Sequence, residues 1–310
     1  MKLIKELSEG DRLSIQAIIG GVSRGTNMSG SPYLNIDLRD SSGQINAKKW
    51  EIESGDEEIF VPGNIVGVTI EVIKYRENLQ AKILNASKIE AEEVDVSRFV
   101  KTPPIPKAEL VARFNKMVDS VKDSDCQKLL KYFMEKYAGK IYDAPAAMSV
   151  HHEFSSGLIM HSLYIAEICD FLCTKYEDVN RDLLVTGAIL HDFGKMIELE
   201  GPAIYHYSIE GKLIGHISIM CAEIREAANK LGLTSETPIL LEHMILSHHG
   251  HLEFGSPVLP LTKEALMLSI VDLLDSKVMI VSKALEEVKP GDFTSKIFHL
   301  DNCCFYKPKK

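Results

Sequence analysis

The sequence predicts two domains, a small all-β barrel followed by an all-α domain, and three observations carry that prediction. Apolar and polar residues alternate through much of residues 12–91. A charged and then proline-rich stretch follows at 92–106. From Lys107 onward the apolar spacing becomes three and four residues, and no strand pattern of comparable quality returns. Period two belongs to half-buried strands and period 3.6 to helices that bury one stripe, so the switch marks a change of architecture. With 310 residues the chain is long enough for one small and one medium domain.

Five strands are expected in order. Leu13–Ile19 alternates and runs into Gly20-Gly21, a bulge or bend. Tyr33–Leu38 alternates cleanly, and Asp40-Ser41-Ser42-Gly43 turns the chain into the strand ending at Lys49-Trp50. Pro62-Gly63-Asn64 is the next turn, after which Ile65–Val72 and Leu79–Leu84 form a hairpin across Tyr75-Arg76-Glu77-Asn78. Five strands in about 80 residues fit a small closed barrel of the OB type. Leu38, Asp40 and Gly43, the Lys49-Trp50 strand end, and Tyr75-Arg76 with Leu79-Gln80 resemble OB-fold nucleic-acid-binding modules. On such a barrel Tyr33, Trp50 and Tyr75 stack bases while Arg24, Arg39, Lys48, Lys74, Arg76 and Lys82 track phosphates. The competing reading has the aromatics plugging the barrel and the charges merely solvated.

Residues 92–106 read as a stiff linker, which sets the domains at 1–91 and 107–310. Beyond it, Leu110, Phe114, Met117 and Val121 share one helical face, and Leu129, Phe133 and Tyr137 share another. Helices are expected at 157–173 and 264–286, and the terminal Lys307-Pro308-Lys309-Lys310 reads as a frayed tail.

The composition is that of a soluble globular protein, and no run approaches the ~18 apolar residues of a membrane span. Met1-Lys2-Leu3-Ile4-Lys5-Glu6 turns polar too early for a signal peptide. Six scattered cysteines lack metal-type spacing, which points to a reducing, cytoplasmic setting. A net charge of −9 argues against a broad basic face for duplex DNA. Residues 1–91 carry 11 Lys/Arg against 13 Asp/Glu, hence only −2, so most of the negative charge lies in the helical part.

The histidines crowd into that part, most of them between His151 and His251. Leu184, Ala188 and His191 lie on one stripe of a buried helix that ends in His191-Asp192-Phe193-Gly194-Lys195, with Gly194 as its stop signal. An ionised carboxylate there is costly to bury unless a cation compensates it. His161 falls among Leu158, Ile165, Ile168 and Leu172 on the core side of its helix, and Asp272 sits inside an apolar run with Asp275 as its rival. Three helices would thus deliver ligands to one centre, as helix bundles do for metals.

This order, His161, His191-Asp192 and Asp272 on helices, resembles the HD superfamily of metal-dependent phosphohydrolases over about residues 145–285, including the Gly-Lys after the His-Asp pair. The resemblance implies that these four hold one divalent ion. His216, opening a helix, and His248, ending one, would hold a second, with Asp192 bridging. His249 is the alternative to His248. Two ions about 3.5–4 Å apart clamp a phosphodiester and generate hydroxide at neutral pH. Lys195 would meet a substrate phosphate, and His152 is a candidate for the pocket wall.

An N-terminal OB barrel, a proline-rich linker and an HD domain in one chain resemble the YhaM-type 3′–5′ exoribonucleases of Gram-positive bacteria over nearly the whole length. That resemblance implies a cytoplasmic hydrolase of single-stranded RNA, and of single-stranded DNA as a second substrate. It also implies one or two divalent metal ions. Mn²⁺ is the first choice, because the ligands mix nitrogen and oxygen without thiolate. No membrane partner is expected, and a homo-oligomer stays open. Two other readings are kept: a phosphohydrolase of a small or cyclic nucleotide with the barrel as regulator, and a non-catalytic nucleic-acid-binding protein.

Overall fold

The alternation of residues 12–91 resolves into five strands: β1 (Arg12–Thr26), β2 (Pro32–Asp40), β3 (Gly43–Lys49), β4 (Ile65–Tyr75) and β5 (Asn78–Ile89). They close into a barrel in the order β1-β2-β3-β5-β4, with β4 pairing back onto β1 and β3 running parallel to β5. This is the OB arrangement that the sequence predicts. A short helix, α1 (Asp56–Ile59), lies between β3 and β4. Inward positions such as Ile15, Ile36, Leu38, Ala47, Val68 and Ile70 are buried and form the barrel core. β1 does not stop at the glycine pair. The register shifts between Ile19 and Gly21, and the strand runs on to Thr26. Gly20 admits this path because the Arg39 side chain of β2 crosses its backbone, where a Cβ would lie 2.2 Å from Arg39 Nε.

These features belong to a computed structural model that describes residues 2–27, 29–76, 78–90, 94, 98–99, 105–146, 155–201, 205–286 and 288–309. The chain divides into two compact units, Met1–Thr102 with Gly201–His206, and Pro103–Glu200 with Tyr207–Lys310.

The second unit is helical: α2 (Lys107–Asp119), α3 (Ser124–Lys136), α4 (Gly157–Cys173), α5 (Arg181–Leu190), α6 (Lys195–Glu198), α7 (Ile209–Leu213), α8 (His216–Leu231), α9 (Thr237–Ser247) and α10 (Lys263–Glu286). Asp123 caps α3 by accepting from the backbone N–H of Asp125 and Cys126, and Asn180 caps α5 by accepting from Leu183 N–H. Every residue of α5 from Leu183 to Leu190 is buried, which makes it the central helix, with α4, α9 and α10 packed around it. Among the described residues no helix is long and apolar enough to cross a membrane. All six cysteines are free.

Two local expectations need correction. Gly194 does not end α5 with a left-handed turn; its φ is −57° and it leads directly into α6. It is glycine because α8 begins against it, and a Cβ would lie 2.1 Å from His216 O. The C-terminal segment is not frayed up to Lys307. Gly291 N–H donates to Lys307 O (2.7 Å), Lys307 N–H to Asp292 O (2.9 Å), and Thr294 N–H to Phe305 O (2.9 Å). Lys307 Nζ also donates to Leu285 O at 2.7 Å, tying this hook back to α10. Hydrogen bonds in register between two short segments can order a tail that its composition marks as polar.

Candidate metal centre and nucleic-acid surface

The central helix α5 delivers His191 and Asp192 from its C-terminal end into the interior, where they are 0 % and 2 % exposed. α4 brings His161, and α10 brings Asp272. Their ligand atoms converge. His161 Nε2 lies 3.2 Å from Asp272 Oδ1, 3.5 Å from Asp192 Oδ2 and 3.3 Å from His191 Nε2. His191 Nε2 lies 3.4 Å from Asp192 Oδ2 and 4.0 Å from Asp272 Oδ1. Asp192 Oδ1 turns the other way, 3.4 Å from His216 Nε2 and 3.9 Å from His248 Nε2. His216 opens α8, and His248 caps the end of α9. His216, His248 and His249 form a second group able to hold a metal.

The other ring nitrogen of each histidine shows what these atoms are for. His161 Nδ1 meets Asp275 Oδ2 (2.7 Å), His191 Nδ1 meets Ala188 O (2.9 Å), and His216 Nδ1 meets Glu198 Oε1 (3.0 Å). His248 Nδ1 meets Ile245 O (2.7 Å), and His249 Nδ1 meets Phe254 O (2.8 Å). Each of these partners is an oxygen acceptor, so each neutral imidazole carries its proton on Nδ1 and turns the Nε2 lone pair inward. With all five rings neutral, five lone pairs and two carboxylates face one another; without a metal, a proton shared between His161 and Asp272 relieves part of that crowding. Among the described residues, Asp192 Oδ1, His216 Nε2 and His248 Nε2 are buried with no hydrogen-bond partner at all. Buried acceptors left in this way cost about 1–3 kcal/mol each. Divalent cations remove the cost, since nitrogens and oxygens held at about 2.1 Å from one ion lie roughly 3–3.5 Å apart. The residues present therefore fit a metal.

The electrostatics agree. Burial disfavours charge on Asp192, yet Lys195 and His191 hold its carboxyl well below the usual carboxylate range. Asp272 is likewise pulled down, against burial, by its hydrogen bond to His161. Burial drives His248 and His249 below the ordinary histidine value, which leaves them neutral and ready to ligate. Lys195 is engaged by Asp192, its Nζ donating to Oδ2 at 2.7 Å.

Two supporting carboxylates stand behind the histidine rings, and only Glu198 carried no sequence signal. Glu198, on α6, accepts from both the backbone N–H and the Nδ1 of His216 at 3.0 Å. Asp275, read in sequence as a rival of Asp272 for the metal, stands behind His161 instead. His152 lies outside the described residues.

The barrel carries the second candidate surface. Alternation turns Lys49 inward, 5 % exposed, and leaves Lys48 on the outer face. Its ammonium lies 5.2 Å from the Tyr33 ring centroid, 5.1 Å from Trp50 and 5.8 Å from Tyr75. Tyr33 and Trp50 are 4.8 Å apart, and the Arg76 guanidinium sits 5.4 Å from the Tyr75 ring. Lys82 is aligned with Lys48 across the β3–β5 pair. Tyr33, Trp50 and Tyr75 thus do not plug the barrel. They stand outside it, around a lysine. Arg24 is spent on an ion pair with Glu57, and Arg39 lies across Gly20.

Comparison with known proteins bears on both surfaces. Residues 158–277 match the HD domain family. The chain is 41 % identical over 300 residues to the 3′–5′ exoribonuclease YhaM of Geobacillus sp. (strain WCH70), covering 96 % of this chain and 93 % of that one. It is 40 % identical over 300 residues to the 3′–5′ exoribonuclease YhaM of Bacillus subtilis (strain 168), covering 96 % of each. The second OB-fold domain of replication protein A from Methanococcus maripaludis is 23 % identical over 29 % of this chain and 94 % of that one, with a TM-score of 0.25, too slight a likeness to argue from.

Proposed function

Because the chain belongs to the family of YhaM 3′–5′ exoribonucleases, we propose that its inward histidines and carboxylates form a metal centre that shortens single-stranded RNA from the 3′ end. The protein is a metal-dependent hydrolase. The observation that carries the reading is the convergence of five Nε2 lone pairs with Asp192 and Asp272.

In this reading His161, His191, Asp192 and Asp272 would hold one ion, and His216 and His248, on the other side of Asp192, would hold a second. His249 stands ready as a further nitrogen on that side. When bound, such ions neutralise charge on a phosphodiester and make water nucleophilic at neutral pH. The chain's own residues prepare the site. Asp275 and Glu198 fix the rings of His161 and His216 with Nε2 forward, and the backbone carbonyls of Ala188 and Ile245 do the same for His191 and His248. Lys195 keeps an ammonium beside the shared carboxylate, where it meets a non-bridging phosphate oxygen of the substrate. Mn²⁺ suits the nitrogen–oxygen ligand set.

Residues 1–91 serve as the strand-holding barrel, 92–106 as linker and 107–310 as the hydrolytic domain. Tyr33, Trp50 and Tyr75 stack bases, while Lys48, Arg76 and Lys82 meet phosphates. Aromatic faces do not read the 2′-hydroxyl, so single-stranded DNA is a second substrate. Free cysteines and the lack of a membrane-crossing helix among the described residues suit work in the cytoplasm.

The test is a 5′-labelled single-stranded RNA incubated with the purified protein and Mn²⁺, or with a chelator. The expected result is a ladder that shortens stepwise from the 3′ end and stops when the metal is removed. Internal cuts from the first time point, or a reaction indifferent to chelation, would overturn the reading.

A further inference from the structure

α9 ends at the second group of histidines, and the chain then turns back on it. A single 3-10 turn, Leu252–Phe254, follows His248 and His249. His249 Nδ1 donates to Phe254 O at 2.8 Å, so the turn is tied to a histidine of the candidate metal group. Ser256 N–H donates to His251 O at 3.3 Å, and at the far end of the loop Leu261 N–H donates to His243 Nε2 of α9 at 2.9 Å. The loop is thus fixed at both ends. Its Phe254 ring is nevertheless 52 % exposed, and it meets the His251 ring at a near-perpendicular angle with 5.2 Å between centroids. Such a contact covers at most one face of a phenyl ring and leaves the other open.

Position connects this open face with the metal centre. The His249 ring lies 4.4 Å from that of His248 and 5.6 Å from that of His216, centre to centre. A phenylalanine ring centre lies at most about 6 Å from its own carbonyl oxygen, so the Phe254 ring is within about 9 Å of His249 Nδ1. A single nucleotide spans that gap, with its phosphate among the histidines and its base on the ring. Resting on the exonuclease reading above, we propose that Phe254 is the stacking platform for the base of the 3′-terminal nucleotide. Stepwise shortening must seat a terminal nucleotide of any sequence, and an aromatic face does so because every base presents a π-face. The barrel aromatics grip the strand, and Phe254 seats its end.

The test compares a single-stranded RNA that ends in an ordinary nucleotide with the same strand ending in an abasic one, for wild type, Phe254→Ala and Phe254→Trp. Phe254→Ala removes the ring but keeps the carbonyl that holds His249, so its metal content should equal that of the wild type. On the ordinary strand its kcat/KM should fall by about 5- to 150-fold, the worth of one stacked base. Loss of the base should cost the wild type a similar factor and cost Phe254→Ala nothing more, because ring and base form one interaction. Phe254→Trp should restore the rate on the ordinary strand alone. Phe171→Ala, at an exposed ring about 15 Å along α4 from His161, should change neither rate. A separate measurement uses Phe254→Trp with Trp50→Phe, which leaves a single tryptophan in the chain. Adenosine 5′-monophosphate should quench its emission, and ribose 5-phosphate should not. Equal slowing of both strands by Phe254→Ala, a loss of metal in that variant, or equal responses to the two phosphates would overturn the proposal. So would a wild type that shortens ordinary and abasic ends at the same rate, a result that leaves the exonuclease reading standing. A wild type that shortens neither strand with Mn²⁺ present removes both.

Discussion

Asp275 Oδ2 lies 2.7 Å from His161 Nδ1, one helical turn beyond Asp272, whose Oδ1 lies 3.2 Å from the Nε2 of the same ring. One helix thus holds both nitrogens of one imidazole. Asp275 acts through the ring, fixing its tautomer and aim, and removal of such a partner typically costs 10–100-fold in metal affinity. Asp275→Ala should show a loss on that scale, measured by metal titration. Asp275→Asn keeps an acceptor oxygen and should recover most of it. Equal losses in both variants would mean that the charge matters and the tautomer does not.

Asp192 reaches both groups of histidines, with Oδ2 towards His161 and His191 and Oδ1 towards His216 and His248. Asp192→Ala should abolish hydrolysis and lower bound metal. The helical fold should persist, since the buried faces of α4, α5 and α9 are untouched, and circular dichroism checks this. Full activity in Asp192→Ala would remove the metal centre from the account.

The second group can be tested apart from the first. His216→Ala or His248→Ala should reduce the metal content by about one equivalent and slow hydrolysis by orders of magnitude. Glu198→Ala should weaken binding on that side alone, because Glu198 accepts from His216 through both its backbone N–H and its Nδ1. Elemental analysis of the three variants beside the wild type is the measurement.

How much of this was legible in the sequence depends on whether the cause was local. Period two in Tyr33–Leu38 and the 157–173 helix are local patterns, and both elements appear where the sequence predicts them. The C-terminal hook is not legible because its order comes from hydrogen bonds between segments about sixteen residues apart, such as Gly291 to Lys307, that polar residues do not advertise. The sequence predicts a helix stop at Gly194, because a glycine after a helix usually is one. Its real constraint, the backbone of His216, is twenty-two positions away in sequence. The roles of Asp275 and Glu198 have the same origin. A carboxylate that orients a ring and a carboxylate that faces a metal look alike until the ring is in sight.

The pH dependence follows from His161. Burial opposes its protonation, but hydrogen bonds to Asp272 and Asp275 raise its value to about 9 in the metal-free protein. Below that pH a proton occupies the place a metal needs, so metal entry must release it. Affinity for a divalent ion should therefore climb by about tenfold per pH unit from neutrality to about 9 and level off above. Calorimetry in buffers of different ionisation enthalpy measures the released proton directly. Flat affinity across that range would show that His161 is already neutral before the metal arrives.

The barrel surface makes the last prediction, and it separates a strand-holding role from a decorative one. Tyr75 and Trp50 are both substantially exposed, at 51 % and 36 %, so Tyr75→Ala and Trp50→Ala remove stacking area without opening the core. A stacked base is worth about 1–3 kcal/mol, so each substitution should weaken binding of a long single strand by about 5- to 150-fold. Lys48→Ala should cost less at high salt than at low salt, because its share is largely a phosphate contact. None of the three touches the histidine cluster, so hydrolysis of a dinucleotide or a chromogenic phosphodiester should stay near wild type. The informative quantity is the ratio of long-strand to short-substrate kcat/KM. It should fall in every barrel variant and stay constant in Asp275→Ala, where both substrates suffer together. If Tyr75→Ala and Trp50→Ala degrade a long RNA as fast as the wild type, at equal enzyme and salt, then the aromatic cluster around Lys48 does not hold the strand.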